Sequence, residues 1–221
     1  MKHLSKRNKQ RILRHHLPLA FFSGFASLIL YSVIQSEDVK FRASLATGYV
    51  GIALLTATLV PGAWNVLRRR RNPVSTDLRR DIGIWCGLVS LTHFVIGLQV
   101  HMNSMLLYFF RETGAENKLL PRADLFGFAN YAGLIAVFLT LFLLSLSNDV
   151  SLRRLGSRRW KFLQRSNYAL IAFVVIHSLG YQIIEMRQLG YLLLFWLMVG
   201  GMLVLQLLGF RRLRRHETRE T

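Results

Sequence analysis

Long apolar runs separated by short basic segments are the dominant pattern of this chain. The runs cover residues 17–35, 45–67, 82–102, 123–147, 162–184 and 190–209. Each is close to the ~20 residues that an α-helix needs to cross the hydrocarbon core of a bilayer. The pattern predicts an all-α membrane protein, a six-transmembrane-helix bundle at residues 17–210, with basic cytoplasmic tails at 1–16 and 211–221.

The basic residues predict the orientation of the bundle. The chain carries a formal net charge of +18, but its lysines and arginines cluster between the apolar runs. This distribution argues against nucleic acid as a partner and is typical of cytoplasmic segments next to membrane lipid. Six of the 29 lysines and arginines fall in the external segments: Lys40, Arg42, Arg111, Lys118, Arg122 and Arg187. We therefore expect an N-in and C-in, multi-pass protein of the inner (cell) membrane.

Three local features refine this expectation. Pro61-Gly62 predicts a kink, or the end of the regular helix, within the second span. Residues 105–110, between the third and fourth spans, predict a short amphipathic or re-entrant helix. The single cysteine, Cys86, allows no intrachain disulfide and no cysteine-based metal site.

Two histidines interrupt the apolar runs at matching depths. His93 lies 13 residues after Arg80 in the third span, and His177 lies 12 residues after Arg165 in the fifth. At ~1.5 Å of rise per residue, both lie roughly 18–20 Å above the inner boundary. Since the two helices run in the same direction, we expect the imidazoles at similar depth in the outer half. Such a pair suits a bis-histidine haem, and a hydrogen bond between helices is the alternative for each ring.

Small residues near His93 indicate room for a macrocycle. Gly87, Ser90 and Gly97 lie on the same helix and are expected to line a haem pocket, although small residues also permit close helix packing. His101 lies eight residues beyond His93. We expect it at the outer surface as a solvated residue, with metal ligation as the alternative.

Several short motifs follow one another in a familiar order. They are Thr47-Gly48, Arg79-Arg80-x-Ile82-Gly83-x-Trp85, Thr92-His93, Leu155-Gly156-x-x-x-Trp160-x-x-Leu163 and Ile176-His177. Over residues 45–184 this order resembles the ferric-reductase-like transmembrane domain family. Within it, the chain is most similar to the haem-binding membrane subunits of periplasmic methionine sulfoxide reductase systems. The resemblance implies a cytochrome b with its haem core in the second to fifth helices, and with His93 and His177 as axial ligands of the haem iron.

One position departs from the pattern of that family. Where the family's Trp-x-x-Leu-His places an inner histidine, this chain has Gln164. A glutamine amide is a poor ligand for haem iron. We therefore expect one haem b, in the outer half of the membrane, and no ligand for a second haem in the inner half.

The resemblance implies an electron-transfer subunit of an oxidoreductase system. Electrons would come from quinol or from a flavin such as FMN, and would pass to an outer acceptor, a periplasmic methionine sulfoxide reductase or ferric iron. Arg79 and Arg80 are candidates for binding a flavin phosphate or a lipid phosphate. The chain lacks a GxGxxG fingerprint, so we do not expect it to oxidise NAD(P)H itself. The alternatives are a small non-redox transporter and an assembly or scaffold protein.

Overall fold

The computed structural model describes residues 6–68, 76–102, 104–113 and 118–220, and most of these residues are helical. The helices are α1 (Lys6–Arg11), α2 (Leu17–Val33), α3 (Val39–Leu67), α4 (Thr76–Gly97), α5 (Leu125–Leu146), α6 (Asp149–Leu163), α7 (Ser166–Ile184) and α8 (Leu189–Glu220). A π-helix, Ile12–His16, joins α1 to α2. Residues 69–75 of the predicted loop between the second and third spans, and the first five residues of the predicted tail, lie outside the described residues.

Five helical segments of the described chain are long and apolar enough to cross a membrane. They are Lys6–Val33, Val39–Leu67, Leu125–Leu146, Ser166–Ile184 and Leu189–Arg214. The chain is therefore an all-α, multi-pass membrane protein, as the apolar pattern predicts. The predicted third span, α4, is not among the five, because Asp77, Arg79, Arg80 and Asp81 lie in its first turns. The count of six spans stays a prediction.

Two pairs of neighbouring helices, α3 with α4 and α5 with α7, enclose the centre of the bundle. α3 packs along α4 and along α8, while α5 packs along α7. α3 supplies much of the core: Val50, Leu54, Leu55 and Leu59 are almost fully buried. On the outside of the bundle, large apolar side chains are exposed: Phe21, Phe138 and Leu197 are each more than 60% exposed. Large apolar side chains on that surface suit contact with hydrocarbon rather than with water.

The N-terminal basic segment is tied to the inner end of α4. The Arg7 guanidinium donates to Asp77 at 2.7 Å, and that of Arg11 donates to Asp81 at 3.2 Å. His15 Nδ1 lies 2.8 Å from Asp81 Oδ2. Asp81 is 0% exposed, so its charge depends on these partners. The sequence indicates only a topology signal here, because 66 to 70 residues separate the partners.

Arg80 extends this network to α6. Its guanidinium donates to Asp149 and to Asp77. The hydrogen bond from Arg7 holds the pKa of Asp77 below its ordinary value, and the bond from Arg80 does the same for the pKa of Asp149. Both carboxylates are therefore charged at neutral pH. The N-terminal segment, α4 and α6 are joined at the end of the bundle that the charge distribution predicts to be cytoplasmic.

Two predicted helix ends differ from the structure. α3 continues through Pro61 to Leu67 as one helix, so the proline does not end it. α4 ends at Gly97, five residues before the predicted end of the third span. The carbonyl of Gly97 accepts a hydrogen bond from the Tyr108 hydroxyl at 2.8 Å, which helps to explain this early end.

The predicted internal segment 148–161 is helical. It forms most of α6, and Gly156 divides this helix with φ 71° and ψ 160°. A positive φ of this size favours glycine, since a Cβ would be strained there. The apolar run predicts that the fifth span begins at Phe162. In the structure, α7 begins only at Ser166, and Phe162 belongs to α6.

The segment after α4, which the charge distribution predicts to be external, contains a hairpin that the apolar pattern did not predict. The predicted helix at 105–110 is reduced to one 3-10 turn, Met105–Tyr108. Strand β1 (Phe110–Thr113) then pairs antiparallel with β2 (Lys118–Pro121). Tyr108 is 1% exposed, and its hydroxyl accepts the backbone N–H of His101 at 2.8 Å. These contacts hold the segment over the outer end of α4.

Candidate functional site

His93 and His177 meet in the centre of the bundle. The ring of His93, on α4, and that of His177, on α7, have centres 6.1 Å apart and planes inclined at 79°. Both line a cavity of about 180 Å³, the outer cavity, between α3, α4, α5 and α7. These are the four helices in which the sequence places the core of the site. The structure thus brings together the two rings that the depth argument pairs.

The two histidines are held in the same way. His93 Nδ1 lies 2.8 Å from the carbonyl oxygen of Ser44 on α3, and His177 Nδ1 lies 2.9 Å from that of Ala129 on α5. Because a carbonyl only accepts, Nδ1 carries the hydrogen in each neutral ring and Nε2 keeps its lone pair. Metal-binding histidines are commonly oriented by such a bond. Each ring therefore has an unprotonated nitrogen for a metal.

Two glycines make room for the rings. A Cβ on Gly48 would lie 3.1 Å from Cε1 of His93, and a Cβ on Gly133 would lie 2.7 Å from Nδ1 of His177. Any side chain at Gly133 would therefore displace the His177 ring. The sequence does not reveal this role, because it depends on which helices are neighbours and on how each is rotated.

The predicted pocket residues divide between two cavities. Ser90 and Gly97 line the outer cavity with the histidines. Gly87 does not: it lines a second cavity nearer the inner side, and a Cβ there would lie 2.6 Å from Leu144. Gly87 therefore lies apart from Ser90 and Gly97 in the structure, and the predicted haem pocket stays a prediction. The lack of a side chain at Gly87 lets α4 approach α5.

His101 lies at the outer end of the outer cavity. Its side chain is 28% exposed, and Nε2 lies 2.9 Å from Glu185 Oε1. The ring stacks on Tyr181, with centres 5.7 Å apart, and Tyr181 lies 5.0 Å from His177. The Tyr181 hydroxyl donates to Asn130 Oδ1 at 2.9 Å. His101 is thus a packed and paired residue rather than a solvated one, and a row of rings joins it to His177.

The second cavity, the inner cavity, has a volume of about 440 Å³ and lies between α3, α4, α5, α6 and α7. Its polar lining includes Arg79, Arg80 and Gln164, the residue at the position of the family's inner histidine. The Nε2 atom of Gln164 is buried without a hydrogen-bond partner. No histidine is among the described residues that line this cavity. Its donor set does not fit a haem iron.

A polar cluster around Asp81 was missed by the sequence analysis. His15 and His16, which lie in the predicted basic tail, both contact this fully buried carboxylate. Trp85 Nε1 donates to His16 Nδ1 at 3.2 Å, so Nε2 of His16 carries the hydrogen toward Asp81. In the part of the chain that the structure describes, no group of three or more His, Cys, Asp or Glu side chains could hold a metal ion.

Comparisons with known proteins assign no family to the chain. No family model, no curated protein and no solved structure matches it. The proposal for its function therefore rests on the geometry of the two histidines, on the helices that position them, and on the order of the motifs in the sequence.

Proposed function

We propose that the chain is a membrane cytochrome b that holds one haem between His93 and His177. The observation that carries this proposal is the 6.1 Å distance between the two ring centres. At this separation the two rings would reach one metal ion through bonds of about 2 Å from each Nε2. The donor set fits haem iron, which His93 and His177 would hold through their Nε2 atoms. The haem, when bound, supplies a reversible one-electron change.

The residues around the pair orient and shield it. The carbonyls of Ser44 and Ala129 fix both rings and increase the basicity of Nε2 through their hydrogen bonds. The apolar side chains of Leu55, Phe94 and Val137 line the cavity and keep water away. Burial of this kind affects the reduction potential of a bound metal centre.

The space beside the rings is smaller than a macrocycle. A cavity of about 150 Å³ holds one benzene molecule, and the outer cavity measures about 180 Å³. A flat group larger than one ring fits only when side chains of the wall rotate away. Haem uptake by the purified apoprotein should therefore be slow relative to diffusion.

We propose that α4 also crosses the membrane, which brings the number of spans to six. α4 has 22 residues and packs along α3, and its charged first turns lie among the partners at the inner side. With α4 inserted, both termini lie inside, and α4 and α7 run in the same direction. Both histidines then lie in the outer half of the membrane.

The resemblance in sequence supports the direction of electron flow. The order of motifs is most like that of MsrQ, the membrane subunit of periplasmic methionine sulfoxide reductase systems. We propose quinol or a flavin as the electron donor, and a periplasmic reductase or ferric iron as the acceptor. The row of rings from His177 through Tyr181 to His101 leads toward the outer side.

A transport path has less support. The polar side chains that it would need are bonded to the backbone of the helices. Gln99 donates to the carbonyl of Val95, Asn130 to that of Phe126, and Gln206 to that of Leu59. Groups engaged in this way do not form a continuous hydrophilic pathway.

The test of the proposal is haem quantitation on the purified protein. Protein from haem-replete cells should contain one haem b per chain, measured as the pyridine haemochrome. Its visible spectrum should show a low-spin, bis-histidine species that dithionite reduces. A colourless but folded preparation would contradict the proposal. Two haems per chain would contradict the prediction that Gln164 leaves no ligand for a second haem.

Gly133→Ala should weaken haem binding without unfolding the bundle. The new methyl carbon would lie 2.7 Å from His177 Nδ1, so the ring must leave the carbonyl of Ala129. Loss of such an orienting bond typically costs about 10- to 100-fold in metal affinity. Titration of the apoprotein with haemin measures the change. Gly62→Ala is the matched control, because a Cβ there meets no heavy atom within 4 Å. Equal affinity of the two variants would refute the role of Gly133.

A further inference from the structure

The inner cavity has no role in the haem proposal. At about 440 Å³ it is several times larger than the space needed for one small aromatic ring. One part of its wall is apolar, formed by Leu55, Leu143, Leu144 and Leu170. Its lining also includes the polar and basic residues Arg79, Arg80, Lys161, Gln164 and Arg165. The cavity is therefore amphipathic.

Two buried donors in this wall have no hydrogen-bond partner. They are Nε of Arg80 and Nε2 of Gln164. Arg80 is 8% exposed, and its terminal nitrogens already donate to Asp149 and Asp77. A buried N–H without a partner costs free energy. A ligand that places acceptor oxygens in the cavity would remove this cost for both residues.

The charges around the cavity favour an anion. Arg79, Lys161 and Arg165 line it in addition to Arg80. The acidic side chains nearby, Asp77 and Asp149, are already paired with arginines. A neutral ligand with acceptor oxygens would accept hydrogen bonds from both donors, but it would not neutralise the positive charge of Arg79, Lys161 and Arg165.

The cavity also reaches the lipid-facing surface. Tyr168 lines it and is 50% exposed on α7. The neighbouring Phe162 is 67% exposed, as expected of a side chain in contact with acyl chains. A molecule with a long apolar tail can therefore enter from the membrane, with its polar end toward Arg80 and Gln164.

We propose that the inner cavity binds one anionic phospholipid. Its phosphate oxygens accept from Arg80 Nε and Gln164 Nε2, with Lys161 and Arg165 neutralising the charge. Its acyl chains lie along Leu143, Leu144 and the exposed face of α7. Inorganic phosphate would satisfy the same donors but would leave the apolar wall uncovered. This site is separate from the histidine pair and does not depend on haem.

Native mass spectrometry of the detergent-purified full chain tests this proposal. The protein is titrated with phosphatidylglycerol and, separately, with phosphatidylcholine. We expect one phosphatidylglycerol to bind about tenfold more tightly than phosphatidylcholine, because both lipids carry the same phosphate but the choline ammonium would be repelled by Arg79, Lys161 and Arg165. Lipid bound to the protein is counted by mass, so the result is independent of haem content.

Two variants and one matched control locate the site. Arg165→Gln and Gln164→Leu should each lower the occupancy by phosphatidylglycerol at least threefold, roughly the effect of losing one polar contact. Arg158→Gln removes an exposed charge of α6 that does not line the cavity, and should change nothing. Equal binding of the two lipids, or an equal loss in Arg158→Gln, would overturn the proposal. So would a neutral quinone found as the bound mass, or inorganic phosphate that competes as well as the lipid.

Discussion

His177→Ala is expected to leave the chain without haem while the bundle stays folded. The substitution removes one of the two nitrogen donors that face the outer cavity, and a single remaining imidazole cannot hold the iron from both sides. Loss of an orienting bond alone costs about 10- to 100-fold in metal affinity, so loss of the ligand should cost at least about 100-fold. His93→Ala should have the same result. The measurement is haem content and the reduced-minus-oxidised visible spectrum after purification.

His101→Ala is the matched control for this experiment. His101 lines the same cavity and contacts Tyr181, but its Nε2 is paired with Glu185. It should retain haem in full. If His177→Ala kept the haem of the wild type, or if His101→Ala lost as much, the assignment of the axial ligands would be wrong.

The second large effect is expected at Asp81. Asp81→Asn removes the charge of a fully buried carboxylate and leaves Arg11, largely buried itself, without its anion. Breaking a buried ion pair from one side costs about 3–5 kcal/mol. For a chain of this size, about 3 kcal/mol lowers the melting temperature by roughly 6–12 °C. The N-terminal segment should also separate from α4.

The single buried cysteine provides the measurement. Cys86 is 5% exposed and is the only thiol, so a thiol-specific fluorophore reports unfolding directly. Asp149→Asn is the control, because its carboxylate is 39% exposed and its pair with Arg80 should be worth at most about 1 kcal/mol. Identical melting of the two variants would show that burial of Asp81 does not matter.

The proximity of the two histidines could be predicted from the sequence, whereas their surroundings could not. Counting residues from Arg80 and Arg165 places both rings at one level, because a helix rises regularly. Their orienting partners, the carbonyls of Ser44 and Ala129, are backbone groups and leave no signature in the residue types. The role of Gly133 could not be predicted for a related reason, because it depends on which helix Gly133 faces.

The inner side of the bundle shows the same limit. A basic segment before an apolar run is a common topology signal, and nothing local distinguishes Arg11 from Arg14. Only the fold places Asp81 against Arg11 and His15, from 66 to 70 residues away. A pattern of long apolar runs also cannot predict short local features. The hairpin between α4 and α5 and the division of α6 at Gly156 are two such features.

The contacts of Asp81 have a consequence for biogenesis. Arg11, His15 and His16 are synthesised well before the carboxylate that they bind. When α4 leaves the ribosome, the guanidinium and the two imidazoles that bind its buried carboxylate have already been synthesised. A circular permutant that began at α4 would reverse this order, and would present the translocation machinery with an uncompensated acid.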